Sequence, residues 1–388
     1  MRIVIGLICL CFLIFFHELG HFLVAKLFKI KVESFSIGMG PILFHKTIKG
    51  TDYRISLFPF GGYCGIKGEK DFQEALKNNY SKIEGEKDSM YGCHPFKRAA
   101  IGFAGPFFNF LFAFFAFTVI LLTGYTTYSY SNKIIIASEL DSSIQSQAGK
   151  AGLKTGDEII KINNKKIEDF SDIIFEISKR PDEDIEISVL RDKEIIEFSV
   201  HSVLDKTSGT GKIGISADTT TLFEKEIKSK NFFLAIKDGF LESLNMTFLT
   251  LKGIFTLFKG VDLKNQVSGP ARVADMIGEV VSESATQGKK AVFINLFNFM
   301  ALISISLFLM NLLPIPVLDG ALILFALIEG IFRIRLHPKF YYYIQFIGIF
   351  IIIIIFIIGV SGDFIYFKNL IRGSKWKKLF FALSFRIS

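Results

Sequence analysis

Cysteine is scarce in this chain of 388 residues, with four in all. Cys9, Cys11, Cys64 and Cys93 leave the long polar middle section without a thiol. No disulfide framework can be built from them, and their spacing does not suit a structural zinc cluster. Charge is thin, at 21% Asp, Glu, Lys and Arg, and is missing altogether from Ile3 to Phe16. No basic stripe with interleaved aromatics stands out, so the net charge of +8 points to anionic membrane surfaces and away from nucleic acid. No small-x-small cleavage site follows the first apolar run, so it is expected to stay as an uncleaved span.

What is abundant is apolar bulk. Half of the chain is hydrophobic, and 44 residues are phenylalanine. A spanning helix needs about 20 mostly apolar residues. Residues 1–28, 99–125, 291–320 and 340–360 contain such stretches. These predict a polytopic α-helical membrane protein of about four transmembrane helices. Residues 29–98 would form a basic loop between the first two spans. Residues 230–290 read as an amphipathic helical region, with Leu244, Phe248, Leu251, Phe255 and Phe258 at helical spacing. Residues 361–388 read as a basic tail carrying Lys368, Arg372, Lys375, Lys377 and Lys378.

His17-Glu18-Leu19-Gly20-His21 interrupts the first apolar run. In a helix, positions i and i+4 share a face, so His17 and His21 can point at one ion. The H-E-x-x-H pattern on a helix is the zincin signature, with the Glu as general base. Taken alone the pattern is loose. Inside a spanning segment, an unliganded His-Glu-His cluster would be desolvated without compensation, which favours a metal.

Two imidazoles do not complete a catalytic zinc site, which has three protein ligands and an open position. The candidate third ligand is Asp319, in Asn311-Leu312-Leu313-Pro314-Ile315-Pro316-Val317-Leu318-Asp319-Gly320. Pro314 and Pro316 break the third span just before the acid. A loop carboxylate capping the next helix is the plainer reading of Asp319 alone. Asn109, buried in the second span, needs a partner, which is either near the metal or a helix-packing hydrogen bond.

Between the first two spans, Tyr53 to Leu57 alternates like a strand and leads into Phe58-Pro59-Phe60-Gly61-Gly62-Tyr63. This predicts an apolar β-hairpin at the membrane edge, whose open strand could pair with an extended segment. Residues 127–217 read as a mostly β soluble domain, with strands at 133–137, 158–162, 184–190, 194–200 and 212–215 and a helix at 171–179. The stretch Ala151-Gly152-Leu153-Lys154-Thr155-Gly156-Asp157-Glu158-Ile159-Ile160-Lys161-Ile162-Asn163 is similar to the centre of PDZ domains. Such a module either binds a peptide by strand addition or only filters access by size.

The paired motifs, in this order around a PDZ-like insert, resemble the site-2 protease family, in particular bacterial RIP metalloproteases of the regulator of sigma-E type. Phe60 to Tyr63, Gly68-Glu69, Phe96 to Arg98, Gly105-Pro106, Asn109 and Ser268 to Pro270 carry the likeness across the whole chain. The resemblance implies an integral protein of the bacterial cytoplasmic (inner) membrane, with the PDZ domain on the extracytoplasmic side. It implies one Zn2+ per chain on His17, His21 and Asp319, and Glu18 as catalytic base. Asn311 and Asn109 would hold substrate backbone or support the site. Gly61, Gly62 and Tyr63 of the hairpin, with Pro314 and Pro316, would line the substrate path. Substrates would be single-span membrane proteins cut within or near the bilayer. Ala321 after Gly320, the segment from Tyr91 to Phe96 and a single PDZ-like module depart from the family pattern without touching a zinc ligand. Two rival readings remain: a membrane metal transporter, and an inactive PDZ peptide-binding scaffold. Convergence of the polar groups at one depth argues against the first, and an intact Glu18 against the second.

Overall fold

The computed structural model describes residues 2–256, 259 and 268–384, without side-chain detail for Pro59, Phe60 and 371–384. The chain divides into two units. The first holds residues 1–120, 233–247 and 267–388, and the second holds 121–232 and 248–266.

Four helices of the chain are long and apolar enough to cross a membrane, among the described residues. They are α1 (Arg2–Leu27), α3 (Pro95–Thr123), α9 (Lys289–Leu312) and the Pro338–Leu370 part of α11 (Pro338–Ser384). At about 1.5 Å per residue, each exceeds the roughly 30 Å of a hydrocarbon core. Apolar side chains such as Phe350, Phe356 and Ile357 stay exposed on α11. A helix that is apolar on its uncovered faces requires an apolar solvent, and the protein is accordingly an integral membrane protein. α3 begins four residues before the expected span, because Pro95 suits a first helical turn. The expected basic tail is not an irregular segment: helix continues through it to Ser384. The side chains of Arg372, Lys375, Lys377 and Lys378 lie outside the described residues.

The hairpin is much longer than the sequence pattern indicated. It consists of β1 (Val32–Ile48) and β2 (Thr51–Ile66), followed by α2 (Glu69–Lys77). One segment of β1 pairs on both of its sides. Ser34 to Ile37 face Gly65 to Gly62 in antiparallel order, and the same four residues face Asp52 to Ile55 in ascending order. Ile42 to Ile48 cover the other side of Ser56 to Thr51. Two strands thus fold into a small four-segment sheet. Ile42, Leu43, Phe44, Leu57 and Phe58 are exposed on it. Such a patch is stable against an apolar phase and costly in water.

In the second unit, a four-stranded antiparallel sheet runs in the order β6-β5-β7-β8, with β5 (Glu158–Ile162), β6 (Lys165–Lys166), β7 (Asp184–Arg191) and β8 (Glu194–His201). Period-2 patterning sets its faces: Ile185 and Ile187 are buried while Asp184 and Glu186 point out. Ile159, Ile162, Val189 and Val200 join them in one core, which helix Phe170–Ser178 (α6) covers with Ile173 and Ile177. Asp169 caps that helix by accepting from the Asp172 amide. The strand expected at 133–137 shortens to Ile134–Ile136. The one expected at 212–215 breaks into Thr210–Lys212 and Ile215–Ala217, because Gly214 takes φ +75° between them.

Two further helices complete the expected amphipathic region: α7 (Phe232–Thr256) and α8 (Pro270–Ser284). Phe258 lies outside the described residues. α9 ends at Leu312, and a fresh helix, α10 (Asp319–Phe332), begins at the acid itself. The third span therefore stops earlier than residue 320. Pro314 cannot return a hydrogen bond within a continuing helix, and the 313–318 connection turns the chain.

Candidate metal centre

α1 carries His17 and His21 on one face, and both rings are buried. α3 lies directly against that face. A Cβ on Gly20 would run into the Ala104 carbonyl, so the two backbones touch where the motif has its glycine. On the facing helix, a Cβ on Gly105 would collide with Nε2 of His21 and come within 2.7 Å of Nε2 of His17. Glycine at that position leaves the space in front of the two ring nitrogens.

The start of α10 brings Asp319 to the same place. Nε2 of His17 is 3.1 Å from Oδ2 of Asp319, and Nε2 of His21 is 3.4 Å from Oδ1. The two Nε2 atoms are 3.2 Å apart. A tetrahedral zinc with bonds of about 2.0–2.1 Å keeps its ligand atoms about 3.3 Å from one another. The donor chemistry and the spacing of these three side chains fit zinc. They are also the one group of three or more His, Cys, Asp or Glu side chains, among the described residues, that could hold an ion.

The outer nitrogens fix the inner ones. Nδ1 of His21 donates to the Ile101 carbonyl at 2.7 Å, which leaves Nε2 with the lone pair that a metal needs. Pro106 lies further along the same helix, and its missing N–H leaves the neighbouring Gly102 carbonyl without its helical donor. Sequence reasoning missed Ile101, since a backbone acceptor leaves no trace in side-chain pattern. Nδ1 of His17 lies 3.1 Å from the side-chain nitrogen of Asn109. Oδ1 of Asn109 is buried without a partner. Turning the amide over places Oδ1 on Nδ1–H of His17, the arrangement that His17 needs in order to ligate through Nε2. Asn109 is fully buried behind the ring, and its own carbonyl accepts from Ser304 Oγ at 2.8 Å. Its burial and its contact with the ring favour the supporting role over contact with a substrate.

The remaining expected residues fall into two groups. Gly62 passes Glu18, since a Cβ there would lie 3.7 Å from Glu18 Cγ. Tyr63 turns its hydroxyl to Arg54, which donates to it at 2.6 Å and also to Asp52 at 2.7 Å. The hairpin edge therefore runs beside the carboxylate that follows His17. Asn311 instead sits in the last turn of α9, and Pro314 and Pro316 belong to the connection that leads to Asp319. Pro316 is buried, and its carbonyl stands where a Cβ of Gly348 would be.

Two imidazoles and a carboxylate, converging from apolar helices beside a second carboxylate, make a candidate zinc centre in an integral membrane protein. The chain belongs to peptidase family M50, whose model matches residues 5–355. A Treponema pallidum protein named a zinc metalloprotease is 32% identical over 93% of this chain and 98% of its own length. One from Campylobacter jejuni, with a similar name, is 34% identical over 91% of this chain and 90% of its own. A third, from Clostridium perfringens, is 30% identical over 94% and 99%. The protein is a zinc metalloprotease of the site-2 protease type, and zinc is its cofactor.

Proposed function

We propose that the protein is an intramembrane protease of the bacterial inner membrane that cuts single-span membrane proteins in or near their transmembrane segment. The observation that carries this reading is the position of His17 and His21 within a helix long enough to cross the bilayer, where Asp319 meets them from the start of α10. His17, His21 and Asp319 are the ligands in this reading, and Glu18 is the base. Zinc, when bound, supplies Lewis acidity toward the scissile carbonyl and the attacking water.

The side chains of the chain divide the rest of the work. Glu18 takes a proton from the attacking water and delivers it to the leaving amine nitrogen. A helical substrate hides its carbonyls in hydrogen bonds and must unwind before attack. The edge at Gly61, Gly62 and Tyr63 offers replacement backbone partners by strand addition beside Glu18. An apolar cavity of about 500 Å³, lined by Phe15, Leu19, Phe22, Phe35 and Tyr53 among others, lies between α1 and the hairpin and suits an apolar substrate side chain. The second unit acts as a PDZ-like module on the extracytoplasmic side, either holding a peptide or filtering substrates by size. The basic loop of residues 29–98 is cytoplasmic, in keeping with the positive-inside rule.

The test is cleavage of a tagged single-span substrate by the purified full-length protein in detergent. Wild type is expected to cut, to stop on chelation and to resume on zinc addition. Glu18→Gln is expected to retain zinc and lose turnover. Cleavage by Glu18→Gln at the wild-type rate would remove Glu18 from the mechanism.

A further inference from the structure

Away from the metal, the first unit buries a second set of charges. Arg98 is 1% exposed and Glu329 is 4% exposed, although 231 residues separate them in sequence. Nη2 of Arg98 donates to Oε2 of Glu329 at 2.5 Å. Oε1 of Glu329 accepts from the Leu336 amide at 2.8 Å and from the Tyr341 hydroxyl at 3.2 Å. The guanidinium lies over the Tyr91 ring, 5.5 Å from its centre, and its Nε has no partner. Such a pair is a poor source of stability, because the cost of desolvating both charges offsets their attraction. The best-attested use of a buried polar pair is to fix the register of packed helices.

The two helices that it joins are the ones that matter here. Arg98 is on α3, which also presents Gly105, Asn109 and the Ile101 carbonyl to the imidazoles. Glu329 is on α10, which opens with Asp319. Between the ion pair and the metal centre, Gly102 of α3 faces Leu322 and Ile323 of α10. That middle contact is apolar and small, and such contacts set distance more firmly than they set register. A slip of one residue along α10 would move Asp319 by about 1.5 Å and swing it by about 100°. Either displacement takes its carboxylate away from Nε2 of His17 and His21.

We infer that Arg98 and Glu329 are positioning residues: their buried pair sets the register of α10 against α3 and thereby holds Asp319 in ligating position. The inference rests on the reading of Asp319 as the third ligand.

The experiment uses the full-length protein with cobalt in place of zinc, reading cobalt affinity and the visible ligand-field spectrum, both independent of turnover. The variant is Arg98→Met/Glu329→Gln. It removes both charges, so neither is left buried alone, and it keeps an acceptor for Leu336 and Tyr341. It is expected to bind cobalt about 10–100-fold more weakly, the range for outer-shell changes at metal sites, and to lose intensity in the spectrum. Arg98→Lys, which keeps the charge, is expected to recover part of both. Wild-type affinity and spectrum in the double variant overturn the inference. Asp319→Asn is the control: if it keeps the wild-type spectrum, the assignment of the ligand fails, whatever the ion pair does.

Discussion

Nδ1 of His17 and the side-chain amide of Asn109 lie 3.1 Å apart, across 92 residues of sequence. The contact decides which nitrogen of His17 faces the metal. With Oδ1 of Asn109 accepting from Nδ1–H, the lone pair is left on Nε2, next to Asp319. Asn109→Ala removes the acceptor and frees the ring to change tautomer. Zinc affinity, measured by competition with a chelator, is expected to fall about 10–100-fold. An unchanged affinity would return Asn109 to a packing role.

Gly105 gives a sharper test, because the obstacle there is steric. Alanine would place its methyl group against both Nε2 atoms. The helix would hardly notice the change, since alanine is the better helix former by about 1 kcal/mol. Gly105→Ala is expected to fold, with the helix gain offset by about 1–3 kcal/mol of crowding against the imidazoles, and to bind no zinc, by metal analysis of the purified protein. A full complement of zinc in that variant would place the ion elsewhere.

The three candidate ligands were legible in the sequence because each leaves a local trace. His17 and His21 stand at helical spacing in an apolar run, and Asp319 follows two prolines that end a span. The groups that hold those ligands were not. The Ile101 carbonyl carries no side-chain signal. The pairing of Arg98 with Glu329 joins residues 231 apart and has no periodicity. The hairpin was underestimated for a different reason. Ser34 to Ile37 form a central segment that pairs with two different parts of β2, and a strand that doubles back cannot be read from alternation in one strand. Beyond the cap considered for Asp319, the sequence pattern leaves α10 unassigned, because its 14 residues fall short of a spanning length.

Acid should weaken the second unit through Glu176. Burial alone would push this carboxyl up, but Lys165 at 2.8 Å, Lys179 at 2.6 Å and Arg180 at 2.6 Å outweigh it and hold it at about 2. A carboxyl with a lowered folded-state value contributes stability that is complete above its unfolded value, near 4.5. That stability is lost as pH falls from there toward about 2. With Lys165 exposed and screened, the contribution is about 1–2 kcal/mol at neutral pH. Residues 121–232 contain the whole core of this unit, so urea unfolding of that fragment can be followed from pH 7 to 3. Wild type is expected to lose more stability over this range than Glu176→Gln, and equal slopes would exclude the cluster as the cause.

Val317 supplies the last test, in which stability and function should move in opposite directions. Its φ of +88° is one that a β-branched residue rarely adopts, and it lies two residues before Asp319. Such a conformation costs about 1–3 kcal/mol and persists only where its surroundings impose it. Here they do: Pro316 is buried on one side, and the Leu318 amide donates to the Ile315 carbonyl at 3.0 Å on the other. Glycine at 317 would relieve the strain at an entropic cost of about 0.5–1 kcal/mol. Val317→Gly is therefore expected to resist unfolding in mixed micelles as well as wild type, or better by about 1 kcal/mol. The same change softens the turn that aims Asp319, so zinc should leave faster in a chelator chase. A variant that gains stability and holds zinc as long as wild type would show that the strained turn plays no part in presenting the ligand.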